Sequence, residues 1–127
     1  MHPLAVLAAL IAALVHVWFF GMESVWFLRP VVWRRFGLAS DAEARVVRAW
    51  AYNQGFYNLF LAAGVAIGLG LVAAGDATTG RALVLFACGS MIAAAVVLVL
   101  HRRELLRAAL LQGLPPLVAV LGILLLG

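Results

Sequence analysis

Residues 4–28 read LAVLAALIAALVHVWFFGMESVWFL, a run in which Glu23 is the only formal charge before Arg29. About 20 predominantly apolar residues in a helix cross the roughly 30 Å hydrocarbon core of a bilayer, so this run is long enough to span. No soluble domain of this size could spare such a surface. An acid within it is costly: even lenient insertion scales put a central carboxylate at about 2.5–3.5 kcal/mol, so such acids usually face a bundle interior. His16 lies two turns earlier on the same helical face as Glu23.

Working outward, three further apolar segments follow, from Val46 to Ala74, from Ala82 to Leu100 and from Leu105 to Leu126. The chain of 127 residues is 67% hydrophobic and 11% charged, with mean hydropathy +1.14. This composition excludes an ordinary soluble domain and predicts one all-α, integral membrane four-helix domain over residues 1–127. The short polar connections, Gly75–Gly80 and His101–Glu104, make consecutive spans antiparallel neighbours, so an up-down-up-down bundle is expected. The longer first connection, Arg29 to Arg45, offers Ser40 or Asp41 as N-cap of the second helix, with Glu43 in its first turn. Its basic and aromatic stretch from Val31 to Phe36 should lie along the headgroups. The N-terminus lacks a positive side chain before its apolar run, which therefore reads as a retained first span rather than a signal peptide.

The net charge of +4 comes from nine basic residues, all of them Arg. They cluster at segment ends and do not point to nucleic acid. Arg29, Arg34, Arg35, Arg45, Arg48, Arg102, Arg103 and Arg107 fall on the side of the first and third connections; Arg81 alone falls on the other. The positive-inside rule then places the arginine-rich side in the cytoplasm and both termini on the non-cytoplasmic side. Trp26, Trp33 and Trp50 sit near that boundary as an aromatic belt would. The all-Arg, Ala-rich composition suggests a GC-rich bacterial genome, and hence a multi-pass protein of the bacterial inner (plasma) membrane.

That orientation gathers the uncharged polar residues at one end. Glu23 lies near the cytoplasmic end of the first span, Asn53, Gln54, Tyr57 and Asn58 in the early turns of the second, and Gln112 about two turns into the fourth. At 100° per residue the four residues of the second span cover an arc of about 140°, wide for a membrane helix. Lipid satisfies none of these groups, so they are expected to meet one another, water or a ligand. The plainer reading is that Asn and Gln only join helices, through membrane hydrogen bonds that average about 0.6 kcal/mol, and that Glu23 snorkels or pairs with Arg29 or Arg48. On the functional reading Glu23 holds or passes a proton, His16 relays it, and Asn53, Gln54, Tyr57, Asn58, Gln112 and Trp26 position a substrate.

Pro115 and Pro116 remove two amide donors beside Gln112 and predict a kink that opens carbonyls there. Gly64 and Gly68 form a small-xxx-small pair suited to a close helix contact, and Gly21 and Gly55 would leave space for a ligand. No phosphate-cradling loop, HExxH, paired cysteines or nucleophile triad is present, so neither a metal nor a cofactor is expected. His16 and His101 differ in depth and do not make a haem site.

The stretch Asn53-Gln54-Gly55-Phe56-Tyr57-Asn58-Leu59-Phe60-Leu61-Ala62-Ala63-Gly64, with Glu23-Ser24-Val25-Trp26 and Gln112-Gly113-Leu114-Pro115, resembles domain-of-unknown-function family 1304. The resemblance covers nearly the whole chain and implies short bacterial four-helix membrane proteins, with no activity attached. Arg45-Val46-Val47-Arg48-Ala49 before Asn53 is also similar to the second helix of the four-helix eicosanoid and glutathione enzymes. There the Arg-to-Asn spacing is one residue shorter and an acid follows the Asn, so glutathione chemistry is not expected here.

Three functions fit these residues. The first is cofactor-independent proton transfer on a lipophilic small molecule, of isomerase or cyclase type. The second is a proton-coupled transporter or efflux component, which would dimerise. The third is a non-catalytic lipid-binding or scaffold subunit. The expected partners are a lipophilic small molecule or lipid, the membrane itself, and a second copy should it homo-oligomerise.

Overall fold

The computed structural model describes residues 1–127 and is helical almost throughout, without strands. Four helices are long and apolar enough to cross a membrane, at Pro3–Val25, Asp41–Ala73, Ala77–His101 and Arg103–Leu126. The protein is a multi-pass membrane protein.

Local chemistry sets each helix start. Helix α1 (Pro3–Phe20) begins with proline at its first position, and His2 Nδ1 accepts the Leu4 amide at 3.2 Å. It continues as a π-helical turn, Gly21–Val25, that ends the span three residues before the apolar run does. A short helix α2 (Pro30–Trp33) and a 3₁₀ turn, Arg34–Phe36, follow and close on Gly37, whose φ of 78° favours glycine. Ser40 caps α3 (Asp41–Ala73), accepting the Glu43 amide at 3.2 Å while Glu43 Oε2 accepts the Ala39 amide at 2.8 Å. The helix therefore starts five residues ahead of the apolar run that marks it. Asp76 caps α4 (Ala77–His101), and α5 (Leu106–Leu126) runs unbroken through Pro115 and Pro116.

Four close approaches fix the topology. Glycine Cβ positions at Gly55, Gly68, Gly113 and Gly122 would meet Ser24, Gly80, Ala95 and Ala5 respectively. In each pair the end of one helix lies beside the start of another. Every neighbour is thus antiparallel, and the bundle closes with α1 against α5.

The interior is built from small residues. Ala5, Ala8, Ala9, Ala12, Val65, Val84, Ala87, Cys88, Met91, Ala119 and Ile123 form one continuous core. Many leucines and some aromatics point outward, with Leu14 69% exposed, Phe86 74% and Leu125 76%, while Phe19, Phe27 and Trp33 are buried at the other end of the bundle. Large side chains outside and small ones inside suit lipid, where close backbone approach rather than hydrophobic burial holds helices together. Gly68 and Gly80 bring backbone against backbone, since a Cβ on Gly68 would sit 2.8 Å from the Gly80 carbonyl oxygen. Gly64 makes only ordinary contact with Ala87.

Candidate functional site

Helix α3 has 33 residues, about 50 Å at 1.5 Å per residue, and so exceeds the hydrocarbon thickness by about 20 Å. Measured back from Ala73, its last 20 residues begin near Gln54. Its first turns, with the Arg45–Asp41 ion pair at 2.7 Å, stand clear of the hydrocarbon. The remaining polar residues of the helix sort by depth and by face.

One face is set by Gly55, Asn58, Ala62, Val65 and Gly68, all buried at three- and four-residue spacing. It receives the end of the first span. Ser24 Oγ donates to the Tyr52 carbonyl at 2.7 Å, and Asn58 Nδ2 donates to Glu23 Oε2 at 2.6 Å. Gly55 lies between these two bonds. A Cβ there would collide with Ser24 Oγ and come within 3.1 Å of Glu23 Cβ, so glycine is what lets the acid reach Asn58. Gly21, within the first span itself, makes room for the Trp26 ring, because a Cβ on it would lie 2.6 Å from that ring. Neither glycine leaves room for a ligand, contrary to expectation; Ser24 and Trp26 fill the space.

The π turn presents Glu23 in this way. Its widened ring is closed by the Trp26 amide, which donates to the Gly21 carbonyl five residues back at 2.9 Å. One extra residue per turn rotates the residues after it off the α-helical register, a distortion found often at functional sites. Glu23 makes no ion pair. Arg29 stacks instead over the Trp26 ring, 5.9 Å from its centroid, and the structure's salt bridges are Arg45–Asp41 and Arg102–Glu104. Asn58 is 6% exposed and Glu23 half-buried. Oε1 makes no hydrogen bond and is not among the sealed polar atoms, so the carboxyl keeps an accessible acceptor.

His16 is fully buried, edge-on to Phe19 with ring centroids 6.0 Å apart. Its Nδ1 is 2.8 Å from the Ala12 carbonyl, an acceptor only, so Nδ1 carries the proton. Nε2 is then a lone-pair acceptor with no partner. His16 and Glu23 are not hydrogen-bonded to each other.

The remaining expected residues stand apart from this pair. Asn53, Gln54 and Tyr57 are exposed on the outer face of α3. Gln112 is half-buried on α5 without a side-chain hydrogen bond, and Ser90 is satisfied within its own helix by the Phe86 carbonyl at 2.8 Å. The structure thus joins residues of two spans, where three or more were expected to meet. Ser24 was not foreseen. Its signal was its position beside the acid and opposite a glycine.

Two concavities border the first span, and neither Glu23 nor Asn58 lines them. Leu10, Ala13, Leu14 and Val17 of α1 face Leu59, Ala62, Ala63 and Ala66 of α3 across a wholly apolar crevice of about 330 Å³. An open groove of about 240 Å³ lies between the first span and α2, lined by Trp18, Met22, Trp26, Arg29, Val31, Val32 and Arg35. No group of three His, Cys, Asp or Glu side chains comes together to hold a metal ion.

A family model described as "Protein of unknown function (DUF1304)" matches residues 10–124. The chain belongs to this family. The match takes in the π turn, the Glu23–Asn58 pair, the second and third spans and most of the first and fourth. No curated protein and no solved structure matches the chain.

Proposed function

We propose that this DUF1304 protein binds a lipophilic small molecule between its first and second spans, with the polar group of that molecule on Glu23. The Glu23–Asn58 hydrogen bond carries the reading. A carboxyl can accept about four hydrogen bonds, and here one amide occupies one oxygen. Oε1 is left for a ligand hydroxyl or for a proton. The apolar crevice between the same two helices supplies the complementary surface for a greasy body.

Chemistry of isomerase or cyclase type needs little more. Glu23 would give a proton to one carbon of an unsaturated substrate and take one from another, so that no oxidant or second substrate enters. Asn58 would hold the carboxyl in place, while His16 is sealed and lines neither concavity, so the proton transfer rests on Glu23 alone. Transport is less well supported. Beyond His16, Ala5, Ala8, Ala9 and Ala12 pack into the closed core and offer no polar path. The arginine asymmetry favours a site near the cytoplasmic leaflet with both termini outside, in a bacterial inner membrane.

Native mass spectrometry of protein extracted from its own membranes tests this. Wild type should retain a lipophilic adduct that Glu23→Ala loses. Glu23→Gln should keep most of the adduct but leave it chemically unconverted. Identical adducts in wild type and Glu23→Ala would refute the site.

A further inference from the structure

The groove on the other side of the first span poses a separate question. Its walls are Trp18, Met22, Trp26, Val31 and Val32, and two guanidinium groups, Arg29 and Arg35, stand among them. Neither arginine is paired with a carboxylate. Arg29 is held by stacking on Trp26, and the Trp18 and Trp26 rings lie 5.8 Å apart, so the aromatic wall is packed and set. Pro30 starts α2 at an extended Arg29, whose ψ is 131°, and this turns the chain out of the first span into a short helix beside it. The groove is the angle between the two. Glu23 does not line it.

We infer that this groove is a binding site for one anionic phospholipid, its phosphate on Arg29 and Arg35 and the top of an acyl chain against Trp18, Met22 and Val32. Charge complementarity names the occupant. Two unpaired guanidinium groups beside an apolar trough, where a transmembrane helix meets a surface helix, present fork-shaped donors to phosphate at headgroup depth. The size agrees. Enclosed small-molecule sites run to about 300–1,000 Å³, so an open groove of about 240 Å³ takes part of a molecule, as a lipid site would. The site is independent of the proposed ligand on Glu23.

Trp18 and Trp26 report on the groove directly. In a Trp33→Phe, Trp50→Phe background these two carry all the emission. The protein is placed in phosphatidylcholine bilayers containing either brominated-chain phosphatidylglycerol or brominated-chain phosphatidylcholine. The anionic lipid should quench at a mole fraction at least tenfold lower than the zwitterionic one. Arg29→Gln and Arg35→Gln should each weaken that preference about fivefold, in keeping with the attraction of one basic residue for an anionic surface. Both residues are exposed, and circular dichroism should show helix content unchanged. Arg103→Gln, in the exposed third connection, should leave the preference intact. Excess inorganic phosphate should not relieve quenching, because the chain contributes to binding. Equal quenching by the two lipids, an Arg103→Gln effect as large as that of Arg29→Gln, or displacement by phosphate alone would each overturn the assignment. Loss of the lipophilic adduct in Glu23→Ala would not alter this result.

Discussion

The two ends of the bundle are built on opposite rules. At the end holding the termini, Ala5 lies against Gly122 and Gly68 against Gly80, close enough that added Cβ atoms would meet backbone. Aromatic rings are absent from that core, and every buried side chain there is small or aliphatic. At the arginine-rich end the packing is by rings: Phe19 and Met22 on Val32, Phe27 and Trp33 on Ala44, Phe20 on Phe56 at 5.1 Å. That end also has the π turn and the Glu23–Asn58 bond. The contrast teaches that close approach serves two ends. Near the termini it brings backbone against backbone, whereas at Gly55 it brings Ser24 and Glu23 onto α3 to hydrogen-bond Tyr52 and Asn58, among packed rings.

The sharpest way to break this contrast is to force the close end apart. Gly68→Val should destabilise the bundle by about 3 kcal/mol, the upper part of the usual overpacking range, because the obstacle is the Gly80 carbonyl rather than a side chain that can swing away. Gly70, two residues on, has open space around it, so Gly70→Ala should be neutral or slightly stabilising through helix propensity, by up to about 1 kcal/mol. Unfolding titrations with sodium dodecyl sulfate in mixed micelles measure both. Equal effects would mean that the close approach contributes nothing to stability.

The arginine-rich end should respond to the loss of a partner rather than to bulk. Asn58→Leu leaves the Glu23 carboxyl without its donor and should cost about 1–3 kcal/mol. Adding Glu23→Met should restore most of that, since replacing both members of a buried hydrogen bond by apolar groups is nearly neutral. The coupling energy of this double-mutant cycle should be about 1 kcal/mol or more. Strict additivity of the two substitutions would show that the pair does not act as a unit.

The difference between the ends also explains what the sequence could disclose. Four spans, their antiparallel order and the cap at Ser40 follow from apolar length, short connections and local hydrogen bonding, all of which are properties of nearby residues. The acid at Glu23 was conspicuous for the same reason. Its partner was less so. Asn53, Gln54, Tyr57 and Asn58 cover about 140° of helix, and no count of polar groups tells which edge of that arc faces inward. The phase is set by Gly55, Ala62, Val65 and Gly68, whose three- and four-residue spacing through Asn58 marks the buried stripe. The start of the second helix was less legible: α3 begins at Asp41, five residues before the apolar run, and Asn53 and Gln54 fall on its exposed face. The π turn left no mark on the apolar pattern of the first span, which runs on through it to Leu28.

A third and smaller test concerns acid. Four of the five acidic residues, Glu23, Asp41, Glu43 and Glu104, belong to the arginine-rich end; Asp76 alone serves the other. Its Oδ1 accepts the Thr79 amide at 3.1 Å, and hydrogen bonds from the Thr79 side chain and main chain hold its carboxyl below the ordinary range. A depressed folded value means that ionised Asp76 contributes stability fully present above the ordinary Asp value of about 4, and lost as pH falls through the lower folded value. The residue is exposed, so the effect is slight. Asp76→Asn retains a good cap but cannot titrate. The difference in unfolding midpoint between wild type and Asp76→Asn should therefore be near zero at about pH 2 and favour wild type at about pH 6. A constant difference at both would mean that the cap acts through its shape alone.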